Sequence, residues 1–121
     1  MDFHSEQMKI VYDLAQLSKK RGCAPFGAVI IHNYTRELIG RGHDMVALEN
    51  DPTLHAEMVA IKHASRYLES SNLTDCTLYT NSEPCSMCLS ACHLACIPIV
   101  HCGNDEMENH ENRTIKMIRH N

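Results

Sequence analysis

Apolar residues recur at helical spacing near the start of the chain. Met8, Val11, Leu14 and Ala15 fall on one side of a 3.6-residue period, so roughly residues 5 to 21 are expected to form an amphipathic helix. Lys19, Lys20 and Arg21 then lie in its last turn, where positive charge complements the helix dipole. Gly22 suits the left-handed position that ends a helix. Phe26-Gly27-Ala28-Val29-Ile30-Ile31 is a continuous apolar run bounded by Pro25 and His32-Asn33, the pattern of a buried strand. A turn near Asn33 to Arg36 leads into a paired strand from Glu37 to Gly42. Asp51-Pro52-Thr53 reads as a helix start, with Asp51 or Thr53 as the cap and Pro52 at the first helical position. That helix is expected to run to about Tyr67. Cys76 to Thr80 is a third strand, Pro84 opens a third helix to about Ala95, and Ile97 to Cys102 is a fourth strand. Beyond Gly103 the chain is acidic and polar, and Arg113 to His120 is a weak helix candidate. Strands and helices alternate after a first hairpin, which predicts an α/β sandwich: a mixed sheet covered by helices.

Composition narrows the picture. The 121 residues are expected to form one domain, and 44% hydrophobic with 21% charged residues is a globular balance. Lys and Arg total 11 against 15 Asp and Glu, a net charge of −4. The only basic run is the one at the helix end, so a polynucleotide clamp is disfavoured. No apolar stretch approaches the roughly 18 residues of a membrane span. The N-terminus lacks the basic-then-apolar order of a signal peptide, so a cytoplasmic location and no membrane partner are expected.

Seven cysteines is a high count. Without a secretion signal, metal binding or core packing is the expected use, rather than a disulfide framework. Cys88, Cys92 and Cys96 fall at i, i+4, i+8 on one predicted helix face. Small thiols packed on the sheet are preferred there to a second metal or a redox relay, and Cys23, Cys76 and Cys102 read the same way.

The sharpest chemical signal is His55-Ala56-Glu57 followed by Pro84-Cys85-Ser86-Met87-Cys88. Zinc favours thiolate and imidazole ligands in tetrahedral geometry. Cys85 and Cys88, three apart in a first helical turn, face one side, where the dipole and free N–H groups stabilise thiolates. His55 lies in the first turn of the preceding predicted helix. Three protein ligands leave a fourth position for water, the layout of a catalytic zinc. Glu57 stands roughly 200° around an ideal helix from His55, outside the ligand set and free to carry a proton. A lone CxxC or a lone HxE is weak, but the two together on capped helices, in this order, match the signature of zinc deaminases.

These residues resemble the cytidine deaminase-like superfamily, in the branch holding guanine deaminases, fungal-type cytosine deaminases and tRNA adenosine deaminases. The resemblance covers about residues 23 to 104. Ala24-Pro25-Phe26-Gly27-Ala28-Val29 resembles the guanine deaminase first strand. Asn50-Asp51-Pro52-Thr53-Leu54-His55-Ala56-Glu57 is similar to the zinc motif of guanine and tRNA adenosine deaminases. Glu83-Pro84-Cys85-Ser86-Met87-Cys88-Leu89-Ser90-Ala91 is similar to the second motif, and Gly40-Arg41-Gly42-His43-Asp44-Met45 resembles the substrate strand of fungal cytosine deaminases.

The resemblance implies a three-layer α/β/α sandwich with a mixed sheet of four to five strands. It implies zinc held by His55, Cys85 and Cys88, with Glu57 passing a proton to the ring nitrogen and then to departing ammonia. The Ala56 N–H and the Glu83 carbonyl would orient the base, Phe26 would stack on or border it, and Asp44 stands where the family usually has Asn. A homodimer whose partner helps close the site is also implied. Compared with the family, residues 1–121 read as one catalytic domain with a shortened C-terminus, offering little room for the usual fifth strand and terminal helices. The reading is zinc-dependent hydrolytic deamination of a free nucleobase or similar small aminated heterocycle, guanine first. Cytosine deaminase and tRNA adenosine deaminase are the alternatives, and a nucleic-acid substrate is not expected on charge. From a different class, a catalytically idle zinc-binding subunit stays open. His43, flanking the substrate strand, is either a ligand-binding residue or local packing. His63 lies too far along its helix for the same metal, and His93, His101, His110 and His120 read as exposed or structural.

Overall fold

The computed structural model describes residues 2–103 and 115–119. Helix α1 (Phe3–Lys20) is followed by strands β1 (Gly27–His32) and β2 (Leu38–His43), a short helix α2 (Val46–Glu49), helix α3 (Ala56–Leu68), strand β3 (Cys76–Thr80), helix α4 (Ser86–Leu94), and strands β4 (Ile99–Cys102) and β5 (Lys116–Arg119). The strands form one sheet in the order β2-β1-β3-β4-β5. β1 pairs antiparallel with β2 and β3, whereas β3, β4 and β5 run parallel. Side chains alternate between faces along a strand. Ala28, Ile30, Leu78 and Val100 therefore meet Ala56, Ala60, Ala64, Leu89 and Cys92 of α3 and α4 on one face. Val29, Ile31 and Tyr79 meet Met8 and Val11 of α1 on the other. This is the expected three-layer sandwich, with five strands.

Helix α1 begins where Asp2 accepts the Ser5 backbone N–H at 2.7 Å. It ends as Gly22 suggests. Gly22 sits at φ +83°, its N–H reaches the Lys19 carbonyl at 3.1 Å, and the Cys23 N–H reaches the Ser18 carbonyl at 2.9 Å. That pair of bonds is a Schellman motif. Helix α3 is held against β2 by two glycines on one strand face. A Cβ at Gly42 would lie 2.7 Å from the Ala56 carbonyl oxygen and 2.7 Å from the Val59 Cβ, and one at Gly40 would lie 2.5 Å from the Ala60 carbonyl oxygen. The absence of side chains lets the helix backbone settle onto the strand, and this places the start of α3.

Four expectations are corrected. Helix α3 begins at Ala56, not at Asp51-Pro52: the Asp51 carboxylate accepts the Thr53 N–H at 2.8 Å and its hydroxyl at 2.6 Å, closing a local turn ahead of the helix. Helix α4 ends at Leu94, and Cys96 adopts a left-handed conformation with φ 63°. Cys92 is thus buried while Cys96 is exposed, and the three-thiol helix face does not exist. Within Arg113 to His120, residues 116–119 form a strand in parallel register with β4, not a helix. Met117 packs on the core from there, while Lys116 and Arg119 are exposed. The fifth strand is therefore present, preceded by the buried Ile115; residues 113, 114 and 120 lie outside the described residues. Burial pushes the Cys76 thiol up to about 11 and Cys92 up to about 12, so both stay neutral and serve as packing.

Candidate active site

The starts of α3 and α4 converge at one point. His55 occupies the N-cap of α3 and Cys85 the N-cap of α4, both with extended backbones, and neither side chain caps its own helix. Each is free to turn toward the other. Cys88 projects from the first turn of α4. The Cys85 Sγ lies 3.5 Å from His55 Nδ1 and the Cys88 Sγ lies 3.6 Å from it. One ligand atom from each of the three residues lies within 4.8 Å of the others. With Zn–S near 2.3 Å and Zn–N near 2.0–2.1 Å, tetrahedral geometry puts sulfur and nitrogen about 3.6 Å apart, so the trio has the dimensions of a zinc site. The donor chemistry agrees. Burial, helped by negative charge at Glu57 and Cys85, pushes the Cys88 thiol up. A dication between the two sulfurs would favour their thiolate forms and offset that effect. Cys88 is buried and His55 half-buried, but Cys85 is exposed, which leaves one side of the site accessible.

Glu57 is buried beside the trio at 6% exposure, outside the ligand set. Burial raises its carboxyl above the ordinary value, opposed by its own backbone N–H, by His55 and by a hydrogen bond with Cys88. A carboxyl held in that way keeps a proton more readily than an exposed one, as a proton carrier requires. A cavity of about 170 Å³ opens over these groups, lined by Phe26, Asp44, His55, Glu57, Ser82, Glu83 and Cys85. It is smaller than the roughly 300–1,000 Å³ of drug-sized pockets and suits a compact ring. Phe26, Asp44 and Glu83 thus share a wall with the metal trio. Ala56, fully buried as the first residue of α3, contributes no lining side chain; its N–H is one of the amides that helix geometry leaves without an intrahelical acceptor.

The wall that carries Phe26 and Asp44 is tied together. The Asp44 N–H donates to the Phe26 carbonyl at 3.1 Å, and the Asp44 carboxylate accepts the Val46 N–H at 3.1 Å, the turn-cap geometry that Asp commonly adopts. Asn81, which sequence reasoning did not single out, straddles Phe26: its side chain accepts the Gly27 N–H at 2.9 Å and donates to the Pro25 carbonyl at 3.0 Å. Ser82 in the lining was also missed. An Asn-Ser pair directly before Glu83-Pro84 is the only signal that could have found them.

His43 does not line the cavity; it is buried behind Asp44. Arg21, expected only to serve the helix dipole, reaches it: Nη1 lies 3.0 Å from His43 Nε2. His101 is buried at 4% and stacks on both Tyr79 and His4, each at 4.5 Å between ring centroids, so it is structural. His93 and His63 are exposed, and His110 and His120 lie outside the described residues.

An α/β/α sandwich that presents one His and two Cys from two helix starts, with a buried Glu beside them, defines a zinc-site domain of the deaminase kind. The chain belongs to the cytidine and deoxycytidylate deaminase zinc-binding region family, which matches residues 1–104. Zinc is the metal of that family. Among similar proteins, the tRNA-specific adenosine deaminase of Haemophilus influenzae is 33% identical over 90 residues, 74% of this chain and 51% of the relative. The guanine deaminase of Bacillus subtilis is 48% identical over 71 residues, 59% of this chain and 44% of the relative. The chain spans about half the length of the curated relatives it matches. In solved structures, the Bacillus subtilis guanine deaminase aligns with a TM-score of 0.78 at 40% identity, over 84% of this chain and 64% of that one. A tRNA:A34 deaminase aligns with a TM-score of 0.86 at 23% identity, covering 96% and 98%, a likeness of fold alone.

Proposed function

We propose that this domain performs zinc-dependent hydrolytic deamination of a free nucleobase or a similar small aminated heterocycle, with guanine the first choice. The observation that supports a free base over a nucleic acid is the lining of the cavity: it includes Asp44, Glu57 and Glu83, and among its described residues none is Lys or Arg. A polyanion would meet negative charge at the mouth. In this reading His55, Cys85 and Cys88 hold the metal. Bound zinc supplies a Lewis acid that lowers the pKa of water toward about 7. Glu57 would accept one proton from the attacking water and pass it to the ring nitrogen, then take the second proton from the hydroxyl left on the ring carbon and pass it to the amino group, which departs as ammonia. The Ala56 N–H and the Glu83 carbonyl orient the base in its plane, and Phe26 borders its face. Glu57, buried and lining the cavity, weighs against a catalytically idle zinc subunit, which has no need of it. Assembly as a homodimer belongs to the same proposal.

Asp44 sets the choice of base. An ionised Asp only accepts hydrogen bonds, whereas Asn both donates and accepts. Asp44 therefore favours a ring edge that presents N–H or amino groups, as guanine and diamino heterocycles do, over cytosine's carbonyl. A buried polar mismatch costs about 1–3 kcal/mol, or roughly tenfold to hundredfold in discrimination. Replacing Asp44→Asn is expected to shift relative kcat/KM away from guanine and aminated triazines and toward cytosine. An unchanged ranking removes Asp44 from the substrate contact.

The second reading, a tRNA adenosine deaminase, is favoured by the several relatives of that name. Ammonia release from guanine, cytosine and aminated triazines, run beside inosine formation in tRNA, separates the two. Turnover of tRNA without turnover of any free base overturns the proposal.

A further inference from the structure

We propose that Arg21 and His43 are positioning residues that connect the last turn of α1 to the substrate wall through the backbone of Asp44. The inference rests on the deaminase reading above and adds residues outside the cavity to it. His43 is buried at 6% on β2, and its two ring nitrogens face partners of fixed polarity. Nδ1 lies 2.7 Å from the Asp44 carbonyl oxygen, which can only accept. Nε2 lies 3.0 Å from the Arg21 guanidinium, which can only donate. The ring is therefore the neutral Nδ1–H tautomer, fixed by Arg21, as one ring nitrogen's partner generally dictates the proton on the other.

The Asp44 carbonyl is met from a second side. Ser18, fully buried in α1, donates its hydroxyl to the Ala24 carbonyl at 2.6 Å and stands 3.3 Å from the Asp44 carbonyl. Ala24 also accepts the Phe26 N–H at 2.8 Å, and Phe26 accepts the Asp44 N–H at 3.1 Å. Phe26 and Asp44 are thus tied to the end of α1 through the Ser18 hydroxyl and, by way of His43, through the Arg21 guanidinium. Losing Arg21 frees the ring to move its proton to Nε2, which withdraws the Nδ1–H donor from Asp44 and loosens the carboxylate that reads the base. The metal trio and Glu57 sit on other elements and stay in place. The loss then falls on substrate recognition, not on the chemical step.

The test is a double-mutant cycle on the zinc-loaded full chain. Arg21 is exposed, so Arg21→Met is compatible with the fold. His43→Asn keeps an N–H donor at the Nδ1 position but has no tautomer to fix. Arg21→Met alone is expected to raise KM for the base about two- to tenfold, the range of one net hydrogen bond, with kcat changed by less than about twofold. In the His43→Asn background the same change is expected to have no effect, because the donor no longer depends on Arg21. Imidazole ¹⁵N spectra provide a readout that needs no substrate. The parent should show His43 protonated at Nδ1 only, and Arg21→Met a tautomer mixture. An Nε2–H or doubly protonated ring in the parent overturns the inference. So does a cost of Arg21→Met that persists with His43→Asn, or no cost at all. Should the parent release no ammonia from any base, the functional reading fails by itself. Guanine Kd by titration then replaces KM in the same cycle, and absence of binding or of the coupling overturns the inference.

Discussion

Glu57 shows how much a single position can carry. It is the second residue of α3, where His55 as N-cap turns toward the sulfurs of Cys85 and Cys88 and Glu57 lines the cavity. Replacing Glu57→Gln preserves shape and hydrogen bonding but removes the transferable proton. The expected outcome is a folded protein with one zinc per chain and kcat lowered about 10²- to 10⁴-fold, read by metal analysis and ammonia release. Loss of zinc instead would put Glu57 among the ligands. That His55, Cys85 and Cys88 come together was legible in sequence because metal-ligand spacing is local: each motif lies within four residues. Arg21 and His43 were not legible as a pair. They lie 22 positions apart and meet only when β2 folds back beside the end of α1. Nothing in a basic run at a helix end distinguishes a guanidinium that serves the dipole from one that holds a ring.

Among the elements, β2 and α3 depend on each other most closely. Because a Cβ at Gly42 would press on the Ala56 carbonyl and on the Val59 Cβ, Gly42→Ala forces the start of α3 away from the sheet. Overpacking of this kind costs about 1–3 kcal/mol. The urea midpoint is expected to fall with an unchanged m-value, and zinc affinity to fall with it, since His55 stands at the first position before the displaced helix. An unaffected zinc affinity would separate the strand contact from the metal site. The glycines on β2 were readable as a strand but not as a helix seat, because the partner, Ala56 to Ala64, is a separate stretch of chain. The start of α3 was misplaced for a local reason, the Asp51–Thr53 turn. Strand β5 was missed for a global one: its four residues carry a weak pattern of their own and become a strand through pairing with the open edge of β4. No helix among the described residues is long and apolar enough to cross a membrane.

For the whole molecule, a metal held by His55, Cys85 and Cys88 would pin the starts of α3 and α4 to each other. Anything that binds only the folded state stabilises it, by about 2.7 kcal/mol when free zinc exceeds its Kd a hundredfold. Chelation is accordingly expected to lower Tm by on the order of ten degrees for a domain of this size, and added zinc to restore it. A melting curve indifferent to chelator would mean that the trio does not hold the metal tightly. The α/β sandwich was legible from alternation and its three layers from the family resemblance, whereas the depth of the cavity depended on loops that no pattern describes. The antiparallel pairing of β3 with β1 lies between the two ligand-bearing segments and must be in register before His55 can meet Cys85 and Cys88. The metal trio is therefore a proofreader of the fold: a chain with those strands slipped by one residue has no assembled trio, and a partly folded molecule has nowhere to seat the ion.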